Sequence, residues 1–274
     1  MLSTVSFSIS LFILGTIVGS FLNVLVLRYR TGRSIVRGRS ACPSCGHTLS
    51  AVDLVPIASF LLCRGRCRYC GSRLSWQYPL VELLAGLAFL GVFLHLKPFT
   101  VISGLTGSMF HVSGFKTALF LLHAAAWSTL IAIAAYDMRH KIIPDAFVYT
   151  FIALGALQLF LFGEGESFFH LPTGAELVSG PLLALPFAAL WFFSRGRWMG
   201  FGDAKLAWGL GWFLPLQAAL SGVVLGFWAG AIVGLLLIAL SRLQKISRVV
   251  TMKSEIPFGP FLIFGAVLVY FFQC

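Results

Sequence analysis

The chain has 274 residues, of which 58% are hydrophobic and only 11% are charged. A soluble globular protein carries roughly 25% charged residues, so this composition excludes an ordinary water-soluble fold and predicts a protein that spans a lipid bilayer. The net charge is +11. Because the basic residues lie in short loops between apolar stretches, they indicate membrane topology and not a nucleic-acid-binding face.

Eight segments are apolar for close to the 20 residues that a membrane-crossing helix needs, which is about 30 Å of hydrocarbon. They predict an all-α polytopic membrane protein. In chain order the segments are 7–27, 80–96, 117–136, 143–162, 177–194, 204–220, 221–240 and 257–272. No basic stretch precedes the first segment and no small-residue cleavage site follows it, so we expect a retained helix and not a signal peptide.

The basic residues are unevenly divided between the two sides of the predicted bundle. If the eight spans alternate, 18 of the 20 Lys and Arg residues fall on one side, and only Lys97 and Lys116 fall on the other. The second side also carries Glu164, Glu166 and Glu176. Loops rich in Lys and Arg remain in the cytoplasm. We therefore expect the N-terminus outside and four basic loops inside.

A polar segment, residues 28–78, separates the first span, residues 1–27, from the remaining helical core, residues 79–274. The segment is too short to form a normal hydrophobic core alone. It contains two CxxC pairs, each followed by glycine: Cys42 with Cys45, and Cys67 with Cys70. Two such turns present four thiolates to one centre, which suits tetrahedral Zn²⁺. Four thiolates leave no open coordination position, so we expect a structural zinc ion.

Other interpretations of this segment stay open at the level of sequence. The cysteines could form two disulfides, although a cytoplasmic location disfavours them. Cys63 is a fifth cysteine near the second pair, and it is either a small apolar filler or an exchanging ligand. His47 is either a polar neighbour or an alternative ligand.

A few acidic residues lie in or beside the predicted spans, where ionisable groups are costly and are functional candidates. Asp137 ends the third span, Asp203 opens the sixth, and Glu82 lies inside the second. Gly200 and Gly202 precede Asp203 and permit close backbone approach, so helix packing can bring Asp203 against Asp137. Two adjacent carboxyl groups share a proton. Such a pair can activate water and protonate a leaving nitrogen.

The same residues also have purely structural interpretations. Asp203 could be a helix N-cap, and Asp137 an interfacial polar residue. Asp145, which follows Ile-Pro, is more plausible as the cap of the fourth span than as a catalytic acid. Lys205 could anchor its helix at the interface or bias the ionisation of the aspartate pair.

Taken together, these segments resemble the type IV prepilin peptidases, which are bifunctional membrane leader peptidases and N-methyltransferases. The resemblance covers most of the chain in the right order. It is carried by residues 19–24, Arg28, both CxxC pairs, 78–82, Asp137, 143–145, 200–205 and 256–260. It implies that Asp137 and Asp203 are the catalytic pair of an aspartic peptidase, and that the four cysteines bind metal. Cys63 departs from the family pattern.

The resemblance also implies the substrate and the compartment. The substrate would be a type IV prepilin or a type II secretion pseudopilin, cleaved at the cytoplasmic face of the bacterial inner membrane between its basic leader and its apolar helix. The new N-terminus would then be methylated by S-adenosylmethionine. Since the sequence has no Gly-rich nucleotide turn, this second activity is implied by the resemblance alone. A proton-coupled transporter that uses intramembrane acids is the competing interpretation, but it does not explain the CxxC pairs.

Overall fold

The computed structural model of the protein describes residues 2–104, 107–161, 169–243 and 257–272. Three residues named above lie outside these ranges: Glu164, Glu166 and Ile256, the first residue of the run 256–260. The elements in chain order are α1 (Leu2–Arg28), a 3₁₀ helix (Val52–Leu54), α2 (Ala58–Leu62), α3 (Gln77–Leu96), β1 (Phe99–Gly104), β2 (Gly107–Val112), α4 (Gly114–His140), α5 (Asp145–Leu161), α6 (Gly174–Ser194), α7 (Phe201–Phe213), α8 (Leu216–Leu243) and α9 (Gly259–Phe272).

The helical membrane architecture is confirmed, but the count of eight spans is not. Among the described residues, five helices are long and apolar enough to cross a membrane: α1, α3, α4, α6 and α8. The helices α5 and α9 are apolar but shorter. The predicted sixth span ends early, because α7 stops at Phe213 and Pro215 precedes α8. At 1.5 Å per residue, α7 is about 20 Å long, which is less than the hydrocarbon core.

One β-hairpin interrupts this helical chain. Strands β1 and β2 pair antiparallel, with Phe99 opposite Val112 and Gly104 opposite Gly107. The first strand contains Thr, Val and Ile in succession, and β-branched residues favour strands over helices. The hairpin lies in the connection between α3 and α4, which the sequence analysis left without an element.

The chain forms two compact units, Met1–Ala135 and Tyr136–Cys274. In the first unit, α1 packs antiparallel on α3 through small residues. A β-carbon built on Gly15 would lie 2.7 Å from the carbonyl oxygen of Ala85, and one built on Gly19 would lie 2.6 Å from Cα of Glu82. Within a membrane, helices associate where such residues let their backbones approach closely. These glycines therefore fix the α1–α3 pair.

Glu82 has a structural role in the first unit. It is buried in α3, and its carboxylate accepts a hydrogen bond from the backbone N–H of Ile57 at 2.7 Å. Ile57 has a φ of +60°, and the N–H of Ala58 donates to the carbonyl of Pro56. This is a γ-turn of the strained, positive-φ type. Glu82 thus holds a strained turn of segment 28–78 against α3.

In the second unit, α7 lies between α5 and α6, and glycines again mark the contacts. Ser179 of α6 donates from its hydroxyl to the carbonyl of Gly211 at 2.6 Å, and a β-carbon built on Gly211 would lie 2.7 Å from the carbonyl oxygen of Ser179. A β-carbon built on Gly209 would meet the ring of Phe151 in α5. The short helix α7 is therefore held on two sides, with Asp203 in its first turn.

Replacing Glu82 should loosen the turn at Ile57. Glu82→Ala removes the acceptor for a partly buried N–H, which costs on the order of 1 kcal/mol, and we expect the Ile57 amide to exchange about fivefold faster. Glu82→Gln keeps an acceptor oxygen and is the matched control. Hydrogen exchange on the detergent-solubilised protein measures the exchange rate of the Ile57 amide in both variants and in wild type. Equal exchange in wild type and Glu82→Ala would contradict the anchoring role.

Candidate active site and metal centre

Asp137 lies in the last turn of α4 and is only 4% exposed. Its Oδ2 accepts a hydrogen bond from the backbone N–H of Gly259, the first residue of α9, at 3.2 Å. A β-carbon built on Gly259 would lie 2.7 Å from the same oxygen. Only glycine lets the start of α9 approach this carboxyl group so closely.

Asp203 is buried in the first turn of α7, three residues after the N-cap Gly200. The backbone N–H of Gly200 hydrogen-bonds to the Asp203 carboxyl group, which is the arrangement of an acid at the third position of a helix reaching back to the cap. The positive end of the helix dipole also favours a carboxylate here. The alternative interpretation of Asp203 as the helix N-cap is wrong by position, because Gly200 is the cap.

Both aspartates belong to one cluster around Ile143, in the loop between α4 and α5. Ile143 is buried. A β-carbon built on Gly202 would lie 2.8 Å from Cβ of Ile143, and one built on Gly259 would lie 3.3 Å from its Cδ1. The starts of α7 and α9 therefore meet on one isoleucine side chain. The charge of Asp137 acts on Asp203 across this cluster.

Ile143 and Gly259 were not assigned a role from the sequence. Both lie in short Pro-containing runs, 143–145 and 256–260, that the resemblance includes. The only local signal was a glycine between Phe258 and Pro260, since proline and glycine often mark a helix start. What makes these residues part of the site is tertiary contact, which no local pattern encodes.

Lys205 and Asp145 form an ion pair at the starts of α7 and α5. The Lys205 Nζ lies 2.7 Å from Oδ1 of Asp145 and 4.9 Å from the ring centroid of Tyr149. Asp145 is the first residue of α5, and its carboxylate accepts a hydrogen bond from Lys205. Its role as a helix cap stays a prediction. The pair joins two helices beside Asp203.

The two CxxC turns in the first unit have the same backbone structure. In the first turn, the N–H of Gly46 donates to the carbonyl of Cys42 at 2.9 Å. In the second, the N–H of Gly71 donates to the carbonyl of Cys67, also at 2.9 Å. The two glycines have φ values of +72° and +71°, a conformation that glycine adopts without strain. Each glycine thus permits the tight backbone turn that directs a pair of thiols toward one point.

The four thiols form one cluster. All Sγ atoms of Cys42, Cys45, Cys67 and Cys70 lie within 4.8 Å of one another, and those of Cys42 and Cys70 are 3.9 Å apart. A tetrahedral zinc ion with Zn–S bonds of about 2.3 Å separates its sulfurs by about 3.8 Å. Hydrogen bonds from the backbone N–H groups of Cys45 and Ser44 lower the pKa of the Cys42 thiol to about 6. The cluster could therefore hold a metal ion.

The other interpretations of this segment can now be compared with its geometry. The five cysteines in the described part of the chain are free thiols. Cys63 is not a member of the four-sulfur cluster, and Arg68 hydrogen-bonds to it. The His47 ring lies against Tyr69, with centroids 3.7 Å apart, so His47 is a neighbour of the cluster.

Asp53 organises the same segment, and the sequence analysis did not identify it. Its Oδ2 accepts hydrogen bonds from the Ser50 hydroxyl at 2.6 Å and the Tyr69 hydroxyl at 3.0 Å. The Ser50 hydrogen bonds and the nearby Arg68 lower the pKa of Asp53 below its usual range. An ionised carboxylate thus connects the 3₁₀ helix to the second CxxC turn.

Comparisons with known proteins identify the family of two parts of the chain. The Bacterial Peptidase A24 N-terminal domain model matches residues 13–96, the part with the four cysteines. The Type IV leader peptidase family model matches residues 124–235, the part with both aspartates. No solved structure matches the chain.

Relatives of the chain carry the name prepilin leader peptidase/N-methyltransferase. A prepilin leader peptidase/N-methyltransferase of Myxococcus xanthus is 36% identical over 85% of this chain and 63% of the relative. One of Burkholderia pseudomallei is 33% identical over 95% of this chain and 84% of the relative. One of Bacillus subtilis is 29% identical over 96% and 93%. The chain therefore belongs to the type IV leader peptidase family, as a multi-pass protein of the inner membrane.

Proposed function

We propose that this protein cleaves the leader peptide from type IV prepilins or type II secretion pseudopilins and then N-methylates the new N-terminus. The names of the relatives support both activities. The observation that carries the peptidase proposal is the burial of Asp137 and Asp203 in one cluster, each held by a glycine N–H. The methyltransferase proposal rests on the relatives and requires S-adenosylmethionine as methyl donor.

The aspartate pair activates water. One carboxylate accepts a proton from a water molecule, whose oxygen attacks the carbonyl carbon of the scissile peptide bond. The other carboxyl group donates its proton to the carbonyl oxygen. The first acid then gives its proton to the peptide nitrogen, and the second takes back a hydroxyl proton from the tetrahedral intermediate. The C–N bond breaks, the carboxylic acid product forms, and one ionised and one neutral acid are restored. The glycine N–H groups keep both carboxyl groups in place throughout.

The site lies at the cytoplasmic face of the membrane in this proposal. Asp137 is followed within four residues by Arg139, His140 and Lys141, and Asp203 follows Arg195 and Arg197. Such basic residues belong to cytoplasmic loops. The substrate's apolar helix lies in the lipid, and its basic leader extends into the cytoplasm. Residues 79–274 act as the peptidase core.

The metal ion is zinc, and its role is structural. Cys42, Cys45, Cys67 and Cys70 would hold it in the segment 28–78. Zinc supplies folding energy to a segment of this size and, with four thiolates, has no free position for a substrate.

The competing transporter interpretation has no support in the comparisons. Both family models and the relatives described above are peptidases. A transporter also gives no reason for a four-thiol cluster beside the first span. We therefore retain only the peptidase proposal.

Substitution of either aspartate by asparagine should abolish cleavage. The amide can neither accept nor donate the required proton, so kcat should fall by about 10²- to 10⁴-fold. The assay is the mass of a prepilin after incubation with the solubilised protein. Glu176→Gln, which changes an acid elsewhere in the second unit, should cleave normally. Full processing by Asp137→Asn or Asp203→Asn would refute the mechanism, provided that both variants insert and unfold like wild type.

Substitution of a CxxC cysteine should release zinc. Cys45→Ser removes one thiolate, and we expect metal content to fall and hydrogen exchange in segment 28–78 to rise. Cys63→Ser is the matched control, because Cys63 is outside the cluster, and it should keep its zinc. Elemental analysis of the purified proteins measures the zinc content of each variant and of wild type. Equal metal loss in the two variants, or a wild-type protein without zinc, would contradict the assignment.

Loss of the Lys205–Asp145 ion pair should have a smaller effect than loss of an aspartate. The Asp145 side chain is 58% exposed, and exposed pairs contribute about 1 kcal/mol or less. We expect Lys205→Met and Asp145→Asn to lower kcat by no more than about fivefold. The double exchange Lys205→Asp with Asp145→Lys should recover part of this loss. If Lys205→Met is as inactive as Asp203→Asn, Lys205 takes part in the chemistry.

A further inference from the structure

An apolar run of twelve residues, 51–62, interrupts the polar segment 28–78 between the two CxxC pairs. All of its residues except Asp53 and Ser59 are apolar. A run of this length is too short to cross the membrane, and it is typical either of a helix buried in a core or of a segment at the membrane interface. The structure describes the whole run, and Phe60 is its only buried residue. The interfacial alternative therefore remains. The large apolar side chains that the run exposes are those of Val52, Leu54, Val55, Leu61 and Leu62.

The contact with α3 places this run at the level of the bilayer surface. Helix α3 has 20 residues, so it is about 30 Å long, which matches the thickness of the hydrocarbon core. Its first residue, Gln77, therefore lies near the boundary of the core, and Glu82 lies about 8 Å further along the helix. Helical side chains point back toward the N-terminus of their helix, so the Glu82 carboxylate reaches toward the boundary. It accepts the hydrogen bond from the N–H of Ile57 there, and α2 begins at the next residue.

Helix α2 packs on the start of α3 through one side chain and presents its leucines outward. The ring of Phe60 lies 4.9 Å from the ring of Trp76, the residue that precedes α3. Leu61 and Leu62, which follow Phe60, are 61% and 77% exposed, and Trp76 is 73% exposed. Tryptophan is enriched where a membrane meets water. The exposed leucines therefore lie beside an aromatic residue of the interfacial type, at the depth where lipid begins.

The second CxxC turn carries a pair of arginines that the first turn lacks. Arg66 and Arg73 lie opposite each other in an antiparallel bridge, and both are exposed. Like charges directly opposite each other are destabilising. The equivalent residues of the first turn are Ala41 and Thr48, so the turn itself does not require charge at these positions. Neither arginine forms an ion pair with any residue that the structure describes. The pair therefore fits an anionic partner outside the chain.

We propose that segment 28–78 is docked on the membrane surface, with Leu61 and Leu62 among the acyl chains of the adjacent leaflet and Arg66 and Arg73 at the lipid phosphates. Guanidinium groups bind phosphate through paired hydrogen bonds. Arg66 follows Leu62 by four residues, which span up to about 13 Å of extended chain. One short stretch can therefore reach from the acyl chains to the headgroups. This docking goes beyond the proposed peptidase function and does not depend on it.

Charge favours lipid over the two protein partners that an apolar face could bind. The leader of the proposed prepilin substrate is basic, so Arg66 and Arg73 would repel it. A second copy of the chain in a symmetric contact presents the same surface to its partner, which would bring arginine against arginine. Lipid phosphate attracts this pair.

Photo-cross-linking in lipid nanodiscs tests the insertion of α2. The photoreactive residue p-benzoylphenylalanine is introduced at Leu62 of the full-length protein, and at Thr48 as the matched control, because Thr48 is exposed in the first CxxC turn and lies outside the run. We expect at least about fivefold more lipid adduct from position 62, since interfacial segments bury their apolar side chains at the acyl boundary. The mass of the intact protein measures the adduct.

Two results would overturn the docking. One is an equal lipid yield at positions 62 and 48. The other is an adduct at position 62 with a second copy, or with prepilin added to the nanodiscs, in place of lipid. Thermal unfolding of each variant must match wild type; if the label at position 62 destabilises the protein, Leu61 takes its place.

The composition of the nanodisc tests the arginines. Anionic lipid in place of zwitterionic lipid should raise the lipid adduct at position 62 by about twofold or more, because it attracts basic residues near the surface. Arg66→Gln with Arg73→Gln should lose this increase. Arg33→Gln with Arg37→Gln removes the same charge from exposed residues elsewhere in the segment and should keep it. An increase that survives in the first double variant would contradict the contact between these arginines and phosphate.

Discussion

Two carboxyl groups are buried together in the second unit, and every other feature of the site follows from the donors that make this possible. A buried acid without hydrogen-bond partners is strongly unfavourable, and within the described part of the chain neither aspartate has a basic side chain among its hydrogen-bond partners. The partners are backbone N–H groups of Gly200 and Gly259, at the starts of α7 and α9. Backbone donors neutralise less charge than an arginine would. In the proposed mechanism, such donors would hold the carboxyl groups in place and leave the pair able to exchange a proton, which a salt bridge would suppress.

The same property of glycine builds the helix pairs around the site. In a membrane, lipid is as apolar as leucine, so helices are held by close van der Waals packing at small residues. The pairs α1–α3, α6–α7 and α8–α9 all meet at glycines; at the last, a β-carbon on Gly226 would lie 2.7 Å from the carbonyl oxygen of Phe261. The register that places Gly226 against Phe261 also places Gly230 beside Phe258. Packing of α8 on α9 therefore sets the position of Gly259.

The sequence was most informative where chemistry depends on short spacing. The CxxC pairs predicted the four-thiol cluster, and the glycines before Asp203 predicted a close helix contact. It was least informative where a role depends on distant segments. Glu82 was singled out as a membrane-embedded acid, yet its carboxylate holds the turn at Ile57, 25 residues earlier. Ile143 and Gly259 belong to the site only through tertiary contact. The sixth span was not confirmed, because average hydropathy does not register Pro215, and α7 ends at Phe213 before a full crossing.

Segment 28–78 is held by polar groups in place of an apolar core. Arg28, the last residue of α1, donates from its guanidinium to the carbonyls of Ser34 at 2.7 Å and Arg39 at 3.1 Å. Asn23 of α1 donates to the carbonyl of Tyr78 at 3.1 Å, and Glu82 of α3 accepts from Ile57. These contacts fix both ends and the middle of the segment to the α1–α3 pair. The thiol cluster then has to order only the residues between them. The proposed metal ion would do this, because one ion with four ligands would replace the apolar contacts that a segment of about 50 residues is too small to make.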